Sequence, residues 1–187
     1  MRGGSSMIRV FLDRLYLFAG YAAGGFLLVI FALMMLLSAG RPIGLNIPAG
    51  DDLVSWCMVA TSFLGLAHTF RHGEMIRVGL LIDRLEGRTR HVIEIASLLI
   101  GGFFVAFFTY YAVLLTFDSW RFHDMAQGVL PVPLWIPQLG YSGGLFILLV
   151  AFVDEFIHVL RGNIPRYEKP KPQTAEEVVE QAIQSGV

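Results

Sequence analysis

Five histidines, one cysteine and a few carboxylates are the side chains through which this 187-residue chain would do chemistry. His68 and His72 stand four apart, a spacing that puts two imidazoles on one helix face, and histidines facing one another between helices are ligands for haem. Haems stacked across a membrane need ligands on both sides and deep within the helices. His68, His72, His91 and His158 instead fall at one boundary of the apolar segments described below, and His123 lies between two of them. The pattern predicts boundary hydrogen-bonding groups, with an inner metal or haem site at His68 and His72 formally open. Carboxylates that carry protons or ions belong near the middle of a membrane span, where their burial costs several kcal/mol. Asp154 and Glu155 lie within about two turns of a span end, and are expected to pair with Arg71, Arg77 or lipid headgroups. Glu94 is expected in the first turn of its helix, where a carboxylate complements the helix dipole. Cys57 is alone, so neither a disulfide framework nor a cysteine metal site is available. These residues predict no enzymatic activity, no metal and no cofactor.

The elements that position these residues are set by where charge is missing. The chain is 55% hydrophobic and 16% charged, and no Asp, Glu, Lys or Arg occurs in residues 15–40, 53–70, 95–117 or 125–153. A bilayer core of about 30 Å takes roughly 20 apolar residues per helix, since every backbone polar group must be satisfied inside the segment. The expected fold is therefore an all-α integral membrane protein with four transmembrane helices, at about 15–39, 53–70, 92–117 and 135–160. Residues 1–162 form a four-helix membrane domain and residues 163–187 a polar tail. The first segment is far longer than the roughly 7–15-residue core of a signal peptide and reads as an uncleaved anchor. Pro137 sits in the first turn of the fourth span, where its missing N–H costs nothing, and every other proline lies between or after spans. A soluble enzyme, a nucleic-acid binder with a basic face and a disordered tail protein are excluded.

Orientation follows from Lys and Arg in the short flanking segments. Arg2, Arg9 and Arg14 precede the first span. Arg71, Arg77, Arg84, Arg88 and Arg90 lie between the second and third, and Arg161, Arg166, Lys169 and Lys171 follow the fourth. Only Arg41 and Arg121 occupy the other two connectors, so both termini and the middle connector are expected in the cytoplasm. Trp56, Trp120 and Trp135 fall at the opposite boundary, as an aromatic belt would. Asp51, Asp52, Asp118 and Asp124 make that outer face mildly acidic.

Between spans two and three, Ile76, Val78, Leu80, Leu81, Ile82 and Leu85 alternate with Arg77, Asp83, Arg84 and Glu86. This composition predicts a short amphipathic interfacial helix. In the tail, Thr174 and Glu177 form a capping box for at most a short surface helix. Gly20 and Gly24, like Gly140 and Gly144, have the GxxxG spacing that lets membrane helices pack closely. No internal repeat of the kind found in complete secondary transporters is present.

The stretch Phe63-Leu64-Gly65-Leu66-Ala67, followed by Arg71-His72-Gly73 and then Ile76, Val78, Asp83 and Leu85, resembles the second-span exit of the small membrane subunit of tripartite ATP-independent periplasmic (TRAP) transporters, the DctQ-like family. Met75 and Gly79 depart from that pattern, standing where the family often has His and Asp. A second similarity is Leu130-Pro131-Val132-Pro133-Leu134-Trp135, just before the fourth span, which is similar to the family's Leu-x-Ile-Pro-x-Trp signature. The resemblance implies a scaffolding subunit in the bacterial inner membrane. Its partners would be a large elevator-type membrane subunit, a transient periplasmic substrate-binding protein and membrane lipid, with no nucleic acid. Together they would take up an organic acid driven by sodium. It also marks Arg71, Gly73, Ile76, Val78, Asp83, Pro131, Pro133 and Trp135 as family-motif and subunit-interface residues. Two other readings stay open: the small four-span subunit of a tripartite tricarboxylate transporter, and a small membrane cytochrome subunit.

Overall fold

A computed structural model describes residues 4–40, 42, 44, 48–71, 87–128 and 130–160. They form four α-helices: α1 (Gly4–Gly40), α2 (Gly50–Arg71), α3 (Gly87–Arg121) and α4 (Trp135–Leu160). All four are long and apolar enough to cross a membrane. At 1.5 Å per residue, the 22 residues of α2 reach about 33 Å, whereas the 37 of α1 reach about 55 Å. α1 thus begins well ahead of the charge-free stretch at residue 15, and Arg9, Asp13 and Arg14 ride on its first turns. The segment expected to form the interfacial helix lies outside the described residues as far as position 86, and α3 has already begun at Gly87. That early start corrects the expectation for Glu94, which lies beyond the first turn of α3 and is 7% exposed.

Helix ends follow local chemistry. α2 opens on Asp51 and Asp52 and closes on His68 and Arg71, the polarity that complements its macrodipole. Hydroxyls within the helices donate back to the carbonyl four residues earlier, as Ser62 does to Met58, Thr116 to Ala112 and Ser142 to Gln138. Such bonds leave no hydroxyl proton facing hydrocarbon. α3 ends with His123 in the left-handed region (φ 55°) and the Asp124 N–H donating to the Ser119 carbonyl at 3.0 Å, a Schellman-type stop.

The helices lie in a row in the order α1, α2, α4, α3, and α3 makes its extensive contacts with α4 alone. α1 runs antiparallel to α2, as shown by the approach of Leu37 to Gly50 and of His68 to Gly20. α2 and α4 run parallel, with Ala60 against Gly140 and Phe63 against Gly144. At Gly144 a Cβ would lie 2.5 Å from the Phe63 carbonyl carbon and 2.7 Å from its oxygen, so the two backbones touch. Further along, the Phe70 and Phe152 rings stack with centroids 4.2 Å apart. Phe152 also lies over Gly101 of α3, where a Cβ would come within 2.9 Å of the ring. The Thr109 hydroxyl of α3 lies 3.3 Å from the Leu145 carbonyl of α4. Ala67, Phe70, Leu98, Leu145, Leu148 and Ala151 thus form one core along the middle of the row.

The outward faces of the flanking helices are uncovered and apolar, with Phe18 70%, Leu28 71%, Phe31 66% and Phe103 67% exposed. In water so much exposed apolar surface would drive association, whereas in a bilayer it is the ordinary lipid-facing state.

Replacing Gly144 with Ala should force α2 and α4 apart and cost about 1–3 kcal/mol, because the obstructing atoms are backbone and cannot swing away. Gly143→Ala, where a Cβ meets nothing within 4 Å, should be near neutral. Thermal unfolding of the two variants in detergent, compared with the parent, checks the difference.

Candidate functional site

The described charged side chains collect towards the two ends of the helices. At one end, Arg71 closes α2 and lies between neighbours on both sides. Its Nη2 donates to Asp13 Oδ1 of α1 at 2.6 Å and its Nη1 to Asp154 Oδ2 of α4 at 3.1 Å. Beneath the guanidinium lies the Tyr16 ring, 5.6 Å from centroid to Cζ and 1% exposed. Arginine suits the position because its planar fork reaches two carboxylates at once over an aromatic face. The side chains of Arg71, Asp154 and Asp13 are 19%, 22% and 50% exposed, so the Asp154 pair is the more sheltered of the two. A single residue thereby ties three helices together at one depth.

Asp154 therefore pairs with Arg71, one of the partners its position allows. Asp13 was not singled out by its surroundings in sequence. A signal was present: Asp13, Arg71 and Asp154 each sit just outside a charge-free stretch on the same side of the membrane, and so share a depth. Glu155, 2% exposed, and Glu94 are buried on neighbouring helices at this end. Among the described residues no three His, Cys, Asp or Glu side chains converge as a metal site requires. The His68 ring fills the notch at Gly20, whose Cβ position lies 2.7 Å from its Nδ1 and 2.9 Å from its Cγ. That imidazole therefore forms part of the α1–α2 contact. His72 lies outside the described residues.

The other end is built by the connector from α3 to α4. Met125 and Pro133 face each other as an antiparallel bridge, flanked by Ala126 N–H to Val132 O and Leu134 N–H to Asp124 O, both 2.9 Å. Pro133 takes the position in this pair that needs no N–H, and Pro131 sits within a tight turn closed by Val132 N–H to Leu130 O at 2.8 Å. Trp135 then opens α4. The hairpin folds back on α2, where Gly128 abuts the Asp52 carboxylate so closely that a side chain there would collide with it. Asp51, Asp118 and Asp124 remain exposed on this end, and Asp52 is half-buried.

The glycines divide in the same way. Gly140, Gly144 and Gly20 are filled by neighbours within the chain, whereas a Cβ at Gly24 meets nothing within 4 Å. Gly73, Ile76, Val78 and Asp83 lie outside the described residues.

The fold is thus that of a multi-pass helical membrane protein in which Arg71 joins three helices near their ends. Residues 30–162 match the family described as tripartite ATP-independent periplasmic transporters, DctQ component, and the chain belongs to that family. No individual curated protein matches it.

Removing the Arg71 guanidinium by Arg71→Gln leaves two carboxylates close together and should cost about 3 kcal/mol, near the lower range for breaking a sheltered pair. Asp13→Asn, at the half-exposed partner, should cost no more than about 1 kcal/mol and less still at high salt. Arg71→Lys should fall between them, since an ammonium lacks the fork. Thermal unfolding in detergent at low and high ionic strength ranks the three.

Proposed function

We propose that this chain is the small membrane subunit of a TRAP transporter in the bacterial inner membrane. It braces a large elevator-type subunit during sodium-driven, binding-protein-dependent uptake of an organic acid. In this reading both termini and the Arg71 end face the cytoplasm and the hairpin end faces the periplasm, as the distribution of Lys and Arg supports.

Family membership supports the transporter, and the placement of ionisable groups supports the division of labour within it. Between residues 15 and 40, 53 and 67, 95 and 117, and 135 and 153 there is no Asp, Glu, Lys, Arg or His. A chain with no ionisable group at mid-membrane has little with which to bind an organic anion or couple it to a cation. Transport residues then belong to the partner. A brace must instead offer lateral surface, and a single row of helices offers more of it than a closed bundle. The α3 flank, touched within the chain mainly by α4, carries Phe103, Phe107 and Tyr110 at 67%, 48% and 62% exposure. We place the large subunit on this aromatic face, with Pro131, Pro133 and Trp135 at its periplasmic edge. Arg71, which α4 separates from this face, and the family-motif residues Gly73, Ile76, Val78 and Asp83 are proposed as further contacts to the partner on the cytoplasmic side.

Tagged purification from native membranes should bring along a multi-span protein. Replacing Phe103 and Phe107 together with Ala should lower its recovery several-fold without changing the thermal stability of the isolated chain. Undiminished recovery would move the interface to another face, and the absence of any multi-span companion would remove the subunit reading. A separate expectation concerns the periplasmic end. If Asp51, Asp118 and Asp124 help seat the binding protein, changing all three to Asn should slow uptake while leaving the purified complex intact.

A further inference from the structure

Beside the Arg71 bridge the surface is hollowed into a cleft of about 380 Å3, lined by Val10, Asp13, Arg14, Tyr16 and Leu17 of α1 and by Arg71 of α2. Val10, Asp13, Arg14 and Leu17 recur at the spacing of one helix face. They divide the cleft chemically. Val10 and Leu17 give it apolar walls, 48% and 47% exposed, while Asp13 and Arg14 present opposite charges side by side. Asp13 keeps half of its side chain exposed although Oδ1 holds Arg71, and Arg14 is exposed.

From this geometry we propose that the cleft holds the headgroup of an aminophospholipid, with one acyl chain lying along α1. The charges choose the class. Arg71 is committed to Asp13 and Asp154, so what the cleft presents to a ligand is the Arg14 guanidinium and the exposed edge of the Asp13 carboxylate, one charge of each sign. A phosphate alone would meet the Asp13 carboxylate, and an amine alone would meet the Arg14 guanidinium. A phosphoethanolamine group satisfies both, its ammonium donating to Asp13 and its phosphate accepting from Arg14. A choline headgroup has the same charges but no N–H to donate. Beyond Leu17 the same stripe of α1 reaches Gly24 seven residues later, where the absence of any neighbour within 4 Å leaves room for a chain. That apolar continuation favours a lipid over soluble phosphoethanolamine. The assignment rests neither on the transporter reading nor on which end faces the cytoplasm.

The full chain, purified in detergent and stripped of lipid, is offered equal amounts of phosphatidylethanolamine, phosphatidylcholine and phosphatidylglycerol with identical acyl chains, and retained lipid is counted by native mass spectrometry. One ethanolamine lipid should be kept in preference to the choline lipid by about tenfold, the equivalent of one charge-assisted hydrogen bond. Arg14→Gln, which leaves the Arg71 bridge in place, should lower retention of the ethanolamine and choline lipids alike by about tenfold with no change in thermal stability, because the phosphate contact is common to both. Gly24→Leu should weaken retention of the ethanolamine lipid by narrowing the acyl path. Equal retention of the ethanolamine and choline lipids, or preference for phosphatidylglycerol, would overturn the proposal. So would retention of both lipids untouched by Arg14→Gln, or displacement of the lipid by an equal concentration of soluble phosphoethanolamine.

Discussion

Apolar surface gains almost nothing by leaving hydrocarbon for protein, so helices in a bilayer are held together by close packing and by the few polar bonds they share. The contact between α2 and α4 answers that constraint most directly. With Gly140 and Gly144 on one side and Ala60 and the Phe63 backbone on the other, the two helix axes approach until main-chain atoms touch. Dispersion falls steeply with separation, and this shortest approach therefore organises the rest. α1 then lies on the far side of α2 and α3 on the far side of α4, each through a small residue that admits a ring. Gly20 admits His68 and Gly101 admits Phe152.

Close packing fixes how far apart the helices lie but leaves them free to slide. The ion bridge at Arg71 supplies the missing constraint. Its two bonds join α1, α2 and α4 at one level, in a region where headgroups and water lower the cost of keeping charges. The opposite end has its own fastening in the hairpin from α3 to α4, which rests on the first turn of α2 at Asp52. Between these ends the described interior holds no charged side chain, and its hydroxyls at Thr109 and Ser142 bond to helix carbonyls. The chain belongs to the DctQ family, a component of a larger transporter.

Much of this was legible one segment at a time. Four charge-free stretches announced four helices, because hydrocarbon tolerates little else. The proline pattern marked where they begin and end, and Pro137 sits within the first turn of α4. Glu94 was misjudged because the absence of charge reports where lipid begins, whereas a helix continues past that point as long as its backbone bonds can form. Asp154 was readable as one half of an ion pair because it lies at a span end. Asp13 was harder to see, 58 positions from Arg71 and on another helix. The GxxxG spacings likewise identified faces without saying what covers them, and the two sets fared differently. Gly140 and Gly144 are both filled by α2, whereas Gly20 is filled and Gly24 is open.

By itself, then, the sequence determined that the chain carries four segments long and apolar enough to cross a membrane as helices, where its charges lie and which family it belongs to. These follow from hydropathy and local motifs, which act along the chain. Only the tertiary structure decided that the helices stand in the order α1, α2, α4, α3, that α2 and α4 run parallel with backbones in contact, and that Arg71 holds Asp13 and Asp154 together. In lipid any apolar helix face is tolerated almost equally well, so hydrophobicity gives no preference among neighbours. That preference comes from shape at a few small residues and from the depth at which opposite charges meet, and both are properties of pairs of helices.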